Sequence, residues 1–278
     1  RDRSVSRGLG DVYKRQVRYS AELCDRYIDS LIQEIHIVGS QHAEHRKATS
    51  LYFGGGTPAL AANRIKEIVN ALSEHFIITE GIGLELHPDN VNVETLQMLK
   101  DAGVTKISIG IQSFCDKYQK ILGRKKIDTA EMMSALSAVS FETVSMDFIF
   151  ALPGQTYDDL KSDIDAAFLL GANHVAIYPF IDFTFTESPV TAMPKKDKRE
   201  LLDAITQYCL GKGYSRNSIW TFSSGTDANY SSMTRDNFLG FGCSATSLFK
   251  EQFKINTFDV DSYCERTVSY THSEPTRH

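Results

Sequence analysis

Apolar residues recur at Cys24, Tyr27, Ile28, Leu31 and Ile35. This spacing predicts one amphipathic helix with Cys24 on its packing stripe. Ser50–Phe53 then reads as a short buried strand, and Gly54-Gly55-Gly56-Thr57-Pro58 follows it at once. Ile65, Ile68, Val69, Leu72 and Phe76 predict a second helix, with all five on one face. A strand over Gly83–His87, a helix around Val93–Ala102 and a strand over Lys106–Ile111 come next. Asp128 with Glu131 looks like a helix cap, opening a helix that runs through Leu136. A strand is expected over Thr143–Phe150. Thr156 with Asp159 suggests another cap, ahead of a helix bearing Leu160, Ile164, Ala167 and Phe168, and the strand His174–Tyr178 follows.

Strict alternation of strand and helix argues for a parallel sheet with helices outside it. Five strands follow the first helix, and a strand ahead of that helix would make six. The expected fold class is therefore α/β, a partial (βα)6-type TIM-like barrel lacking its first strand. Beyond Tyr178 the pattern changes. Pro179–Pro194 reads as a loop, and a charged helix runs over Lys195–Leu210 and ends at Gly211 and Gly213. From Tyr214 the chain is aromatic, polar and turn-rich, which predicts a small α+β C-terminal region folded against the barrel.

The two ends fit this pattern poorly. Residues 1–16 carry five basic groups and almost no apolar periodicity, and the stretch from Val268 also breaks step with what precedes it. Both are expected to be non-native, with disordered native tails as the alternative. The expected division is a leader at 1–16, the barrel at 17–185, the C-terminal region at 186–267 and a tail at 268–278.

Composition adds mainly exclusions. The chain has 278 residues, 42% apolar and 23% charged, with a net charge of −5. These are ordinary globular values, and they imply no long-range attraction to nucleic acid or to an anionic membrane. No apolar stretch approaches the ~20 residues that span a bilayer. No secretory signal is visible, so the cytoplasm is the expected compartment. The five cysteines, Cys24, Cys115, Cys209, Cys243 and Cys264, include no Cys-x-x-Cys pair. Each reads as packing or a free thiol.

In parallel α/β folds ligands sit at the carboxyl ends of the strands, and the unusual residues of this chain fall there. Gly54, Gly55, Gly56 and Thr57 follow the first visible strand. Glycines let backbone groups approach a ligand closely, such as the amino group or carboxylate of an amino-acid-like molecule; a tight turn with no ligand is the alternative. Glu85 and His87 end the next strand, Gln112 and Ser113 the third, and Asp147 lies within the fourth. A carboxylate in an apolar strand needs a partner. Glu85 suits a ligand ammonium, and Asp147 suits a ribose or an ammonium. For both, the alternative is a structural ion pair with Lys106 or Arg124.

Taken together, GGGTP after a strand, Glu85-Leu86-His87-Pro88, Ile107–Phe114 followed by Leu122-Gly123-Arg124, and Met146–Thr156 resemble the oxygen-independent coproporphyrinogen III oxidase family. That family lies within the radical S-adenosylmethionine superfamily and includes haem chaperones of similar sequence. The likeness spans about Val17 to Asp182. Trp220-Thr221-Phe222, Tyr230-Ser231-Ser232, Arg235 and Gly240–Ala245 also look like the family's C-terminal region. The resemblance implies S-adenosylmethionine across the strand ends, touched by Gly54, Gly55, Gly56, Thr57, Glu85, Gln112, Arg124 and Asp147, with Arg124 on its carboxylate. Ala151 departs from the glycine usual before Leu-Pro-Gly-Gln-Thr.

The resemblance also implies a 4Fe–4S cluster held by Cys-x-x-x-Cys-x-x-Cys, a spacing that this sequence does not contain, together with a reducing electron donor and a porphyrin or haem-like partner. The resemblance thus implies a radical S-adenosylmethionine oxidoreductase acting in porphyrin or haem metabolism, inactive in the chain as given for lack of the cluster cysteines, with a haem-binding chaperone without oxidase activity as the alternative. Arg216 and Arg235 suit porphyrin propionates, and His87 and His174 suit a haem iron. Trp220 and Tyr230 suit stacking on a flat ring or plain packing, with packing preferred for Trp220.

Overall fold

The computed structural model describes residues 19–41, 45–181, 192–225, 237–249 and 251–272, with side chains through residue 267. In chain order the helices are α1 (Ala21–Gly39), α2 (Ile65–Ser73), α3 (Val93–Asp101), α4 (Asp116–Ile121), α5 (Thr129–Ala138), α6 (Tyr157–Leu169), α7 (Lys195–Gly211) and α8 (Val260–His272). The strands are β1 (Arg46–Ala48), β2 (Leu51–Phe53), β3 (Phe76–Ile78), β4 (Ile82–Leu86), β5 (Lys106–Gln112), β6 (Thr143–Phe150), β7 (His174–Pro179), β8 (Ser215–Arg216), β9 (Thr221–Ser223), β10 (Thr246–Phe249) and β11 (Gln252–Ile255).

One seven-stranded sheet organises the chain, in the order β2-β4-β5-β6-β7-β9-β8. Its first five strands are parallel, and β9 and β8 extend it antiparallel. The residues of each strand divide sharply between two faces. Leu84, Leu86, Ile107, Ile109, Met146, Phe148, Phe150, Val175 and Ile177 are buried in the main core. The core side of the helices supplies Ile35, Ile65, Ile68, Leu72, Leu96, Leu99, Met132, Leu160 and Ile164 to the same cluster. Neighbouring helices touch in sequence, α1 on α2, α2 on α3, α3 on α5 and α6 on α7, as one layer wrapped over one face. The other face is polar. The register sets Glu85 beside Ser108, Ser108 beside Ser145, Ser145 beside His174 and Asp147 beside Ala176.

The caps explain several boundaries. Asp128 accepts from the N–H groups of Ala130 (3.1 Å) and Glu131 (3.0 Å), which starts α5. Replacing Asp128 by alanine should cost about 1 kcal/mol, because two helix-start N–H groups lose their acceptor. The urea midpoint should fall with no change in slope. At α6 the Thr156 and Asp159 side chains cap each other's backbone in a full capping box.

Four features correct the sequence reading. Phe76 is not on α2, which stops at Ser73; it opens β3, which pairs with β1 in a separate two-stranded parallel sheet. The Arg46 guanidinium lies over its ring, 5.4 Å from the centroid, and the β-branched Ile77 and Ile78 continue the strand. Helix α4 follows β5 where no element was expected. Beyond α7, β9 joins the barrel sheet through His174–Ser223 and Ala176–Thr221. The β10–β11 hairpin then leads into α8, which packs on α1 and runs through Val268 to His272. Most of the expected Pro179–Pro194 loop, the 1–16 leader, Tyr230–Ser232 and Arg235 lie outside the described residues.

Candidate functional site

The loop after β2 stands open. Gly54, Gly55 and Gly56 are exposed. A Cβ at Gly54 would lie 2.9 Å from the Tyr52 ring, so packing demands that glycine, and Gly55 has φ +88°. At Gly55 and Gly56 a Cβ would meet nothing within 4 Å. These glycines therefore leave free space rather than admit a packed neighbour. The loop borders a cavity of about 700 Å3 that runs along β2, lined at the loop by Gly54–Pro58, by the apolar sides of α1 and α2 such as Ile35 and Leu72, and by Phe238–Phe241 of the C-terminal region.

Glu85 faces this loop. Its Oε1 accepts from the Tyr52 hydroxyl (2.9 Å) and its Oε2 from the Gly55 N–H (3.2 Å). An ionised carboxylate offers about four acceptor sites, so two neutral donors fix its orientation and still leave room for an incoming ammonium. Two strands on, the Asp147 side chain is half-buried on the polar face of the sheet. Oδ2 accepts from Ser108 Oγ (2.8 Å) and Oδ1 from Ser145 Oγ (3.3 Å). Burial, reinforced by the nearby Glu85 charge, pushes its pKa up to about 6 against the pull of the two serines. Tyr178, at the end of β7, feels both acids. Burial first, then Asp147 and Glu85, push its phenol up to about 12.

The end of β5 is bent. Its register with β6 shifts between Ile109 and Gln112, and Gln112 has φ +70°. Two buried side chains hold the turn that follows. Gln119 Nε2 donates to the carbonyls of Ile111 (3.0 Å) and Ser113. Asp163, on α6, accepts from Ser113 Oγ (2.7 Å) and the Phe114 N–H (2.7 Å). Arg124 is fastened over the same strand end, with Nη1 donating to the Gly110 carbonyl at 2.8 Å. Burial, with the Arg124 charge, pushes the His87 imidazole down. Ala151 adopts φ +61°. This left-handed conformation costs an alanine about 1 kcal/mol and would cost a glycine almost nothing.

Of the eight predicted contact residues, Gly54–Thr57 follow β2, Glu85 and Gln112 stand at the ends of β4 and β5, Asp147 lies within β6, and Arg124 follows α4. Gly54–Thr57 line the cavity and Glu85 bonds to that loop, while Asp147 sits across Ser108 from Glu85. Gln112 ends β5 and Arg124 reaches back to that strand through the Gly110 carbonyl, and Glu85, Gln112, Arg124 and Asp147 are not among the residues that line the cavity. Sequence reasoning missed Tyr52, Ser108 and Ser145 as supports, although each lies an even number of residues from the acid or glycine on its own strand. Asp163 and Gln119 were missed because helix periodicity gives no sign that a polar residue turns inward.

Other candidates are displaced. His174 is 1% exposed, at the start of β7, with Nδ1 2.9 Å from Ser145 Oγ, and burial pushes its pKa down to about 4. It is shut away from any haem. Trp220 packs, with its ring 5.9 Å from that of Phe150. Arg216 bonds the Ser218 and Ile219 carbonyls. The cysteines are scattered over α1, the β5–α4 junction, α7, the loop before β10, and α8. Burial pushes the Cys24, Cys209 and Cys243 thiols up, with Cys209 at about 12. Among the described residues the one group of three potential metal ligands is His36, Glu74 and His75, which contains no cysteine. The residues present therefore do not fit a cysteine-held cluster.

Residues 16–167, more than half of the chain, match the Radical SAM superfamily. The heme chaperone HemW of Lactococcus lactis is 30% identical over 219 residues, covering 74% of this chain and 56% of that protein. The oxygen-independent coproporphyrinogen III oxidase of Pseudomonas aeruginosa is 23% identical over 270 residues, covering 85% and 58%. The chain thus spans less than three-fifths of the length of these two relatives. The fold of Escherichia coli coproporphyrinogen III oxidase superposes with a TM-score of 0.78 at 21% identity, over 91% of this chain and 64% of that one. With the glycine loop and inward acids at the ends of a parallel half-barrel, these matches establish that the chain belongs to the radical SAM superfamily, among relatives of the anaerobic coproporphyrinogen III oxidases and heme chaperones.

Proposed function

We propose that this chain is the S-adenosylmethionine-binding barrel, with part of the C-terminal region, of a protein that handles a porphyrin or haem. The observation behind this reading is Glu85, oriented by Tyr52 and the Gly55 N–H beside a glycine loop whose Cβ positions at Gly55 and Gly56 open into empty space. In this reading Gly54–Thr57 and Glu85 hold the amino-acid end of the cofactor. Arg124 takes its carboxylate, Gln112 lines its path, and Asp147 accepts from ribose hydroxyls.

When S-adenosylmethionine is bound beside a reduced 4Fe–4S cluster, its cleavage supplies a deoxyadenosyl radical that abstracts hydrogen. The five cysteines of this chain supply no ligand set for that cluster, so the function assigned here is binding. Neither the radical step nor an electron donor is placed on these residues. Among the described residues no helix is long and apolar enough to cross a membrane.

Equilibrium titration with S-adenosylmethionine tests the proposal. Saturable binding of one equivalent is expected, weakened about tenfold in Glu85→Gln, which corresponds to loss of about 1.4 kcal/mol from a charge-assisted contact. No saturable binding, or equal affinity in the variant, would overturn it.

A carrier reading is favoured by one observation: heme chaperones from Lactococcus lactis (30%) and Bacillus subtilis (26%) are more similar to this chain than the Pseudomonas oxidase (23%). It requires haem retained through purification, with no conversion of coproporphyrinogen.

A further inference from the structure

The structure assigns a second ligand site, remote from the strand ends: His36, Glu74 and His75 form a three-residue site for a late first-row divalent cation, taken here as Zn2+. α1 and α2 end where the strands begin, so the triad lies at the opposite end of the barrel from the glycine loop. His36 comes from the last turn of α1, Glu74 caps the end of α2, and His75 is the residue before β3. His36 Nδ1 lies 3.0 Å from His75 Nε2 and 3.8 Å from Glu74 Oε2, and one donor atom from each residue lies within 4.8 Å of the others.

Two imidazoles and one carboxylate are a common donor set for zinc with an open fourth position. Around a tetrahedral ion with bonds of about 2.0–2.1 Å, ligand atoms stand about 3.3 Å apart. The two separations from His36, 3.0 and 3.8 Å, bracket that spacing.

The site is also built. A Cβ at Gly39 would lie 2.2 Å from His75 Cγ, so the close of α1 gives up a side chain to seat this ring. The His75 N–H donates to the Leu72 carbonyl (3.0 Å), and its carbonyl accepts from the Arg46 N–H (3.1 Å), which fixes it between α2 and β1. The Arg46 guanidinium is occupied elsewhere, on the Val38 carbonyl and the Phe76 ring. An ion here would tie α1, α2 and the β1–β3 pair together, and binding only the folded state would raise stability.

Chelator-treated chain should be titrated with Zn2+ alone, against a chromophoric competitor. One equivalent is expected at micromolar affinity or tighter, with a melting temperature a few degrees higher and no competition from Mg2+. His36→Gln and His75→Asn should each weaken binding at least 100-fold, and Glu74→Gln about tenfold. Substituted Co2+ should give visible bands of a tetrahedral nitrogen–oxygen site. A thiolate charge-transfer band would mean that cysteines bind instead and would overturn the assignment. So would unchanged affinity in the histidine variants, or no binding at 100 µM Zn2+ (about a hundred times the Kd expected). If His75→Asn fails to fold, His36→Gln decides alone, since its side chain is 42% exposed on the helix surface.

Discussion

Replacing Glu34 by alanine is expected to lower the unfolding free energy by about 3–5 kcal/mol and to loosen the wall of the cavity. Glu34 sits half-buried on α1, facing the C-terminal region. Its carboxylate accepts from the Gly242 N–H (2.8 Å), Asn256 Nδ2 (2.8 Å) and the Tyr263 hydroxyl (2.6 Å). These donors come from the turn before β10, the segment after β11, and α8, so one side chain gathers three separated stretches onto the first helix.

Burial, and then Glu34 itself, push the Tyr263 phenol far above its usual range, so it stays a donor at any ordinary pH. Hydrogen bonds to a charged acceptor are worth about 1.5–3 kcal/mol each and do not add fully. Alanine leaves all three donors without this acceptor. Glutamine keeps one acceptor oxygen and should recover part of the loss. The consequence reaches the cavity beside the glycine loop, because Phe238–Phe241 and Thr246 line it together with Gly54–Pro58. Urea unfolding measures the stability, and hydrogen exchange across residues 238–267 measures the loosening. A parent-like midpoint with unchanged exchange would show that the C-terminal region is held by something else.

Glu34 also marks where sequence reading runs out. The helix carrying it was legible, because Ile28 and Ile35 recur at helical spacing and end fully buried. Its partners were not, because they lie more than 200 residues away in segments without periodicity. The parallel strands were legible for the same local reason, and the glycine run stood out because three consecutive glycines have few structural uses. Phe76 misled because position 76 is in phase with Leu72, while the chain had already left the helix for pairing with Arg46. That pairing is a tertiary contact invisible to a window of a dozen residues. Ser108 and Ser145 looked like ordinary strand residues. Only the register, which sets Ser108 beside Ser145 on the face that carries Asp147, reveals that they hold an acid. The sign of the burial cost at Asp147 could be guessed from the sequence; what offsets it required the neighbouring strands.

Asparagine at position 147 is expected to stabilise the ligand-free chain above pH 6 while weakening S-adenosylmethionine binding. The Asp147 pKa is raised to about 6 in the folded chain from an ordinary 3.8. Between those values the folded state holds a proton that the unfolded state has released, so stability falls as pH rises through that window. Above pH 6 the full cost of the half-buried charge is present, and below about pH 4 it is gone. A shift of this size corresponds to about 3 kcal/mol at most. Asparagine loses part of the serine hydrogen bonding, so a gain of about 1–2 kcal/mol is expected at pH 7.5.

The difference between variant and parent should close as pH falls from 6 to 4. Taking the difference also cancels Asp163, whose burial raises it to about 6 in both proteins. Urea denaturation at several pH values measures it. A constant difference across that range would mean that Asp147 is solvated and has no unmet need for a partner. Glu85→Gln supplies an internal check, since removing the neighbouring charge should pull the Asp147 pKa down and shrink the pH effect. A bound cofactor whose hydroxyls donate to Asp147 would offset the burial cost, so S-adenosylmethionine should raise the melting temperature of the parent more than that of Asp147→Asn. This residue would then be kept for the ligand it accepts, at the expense of the fold that carries it.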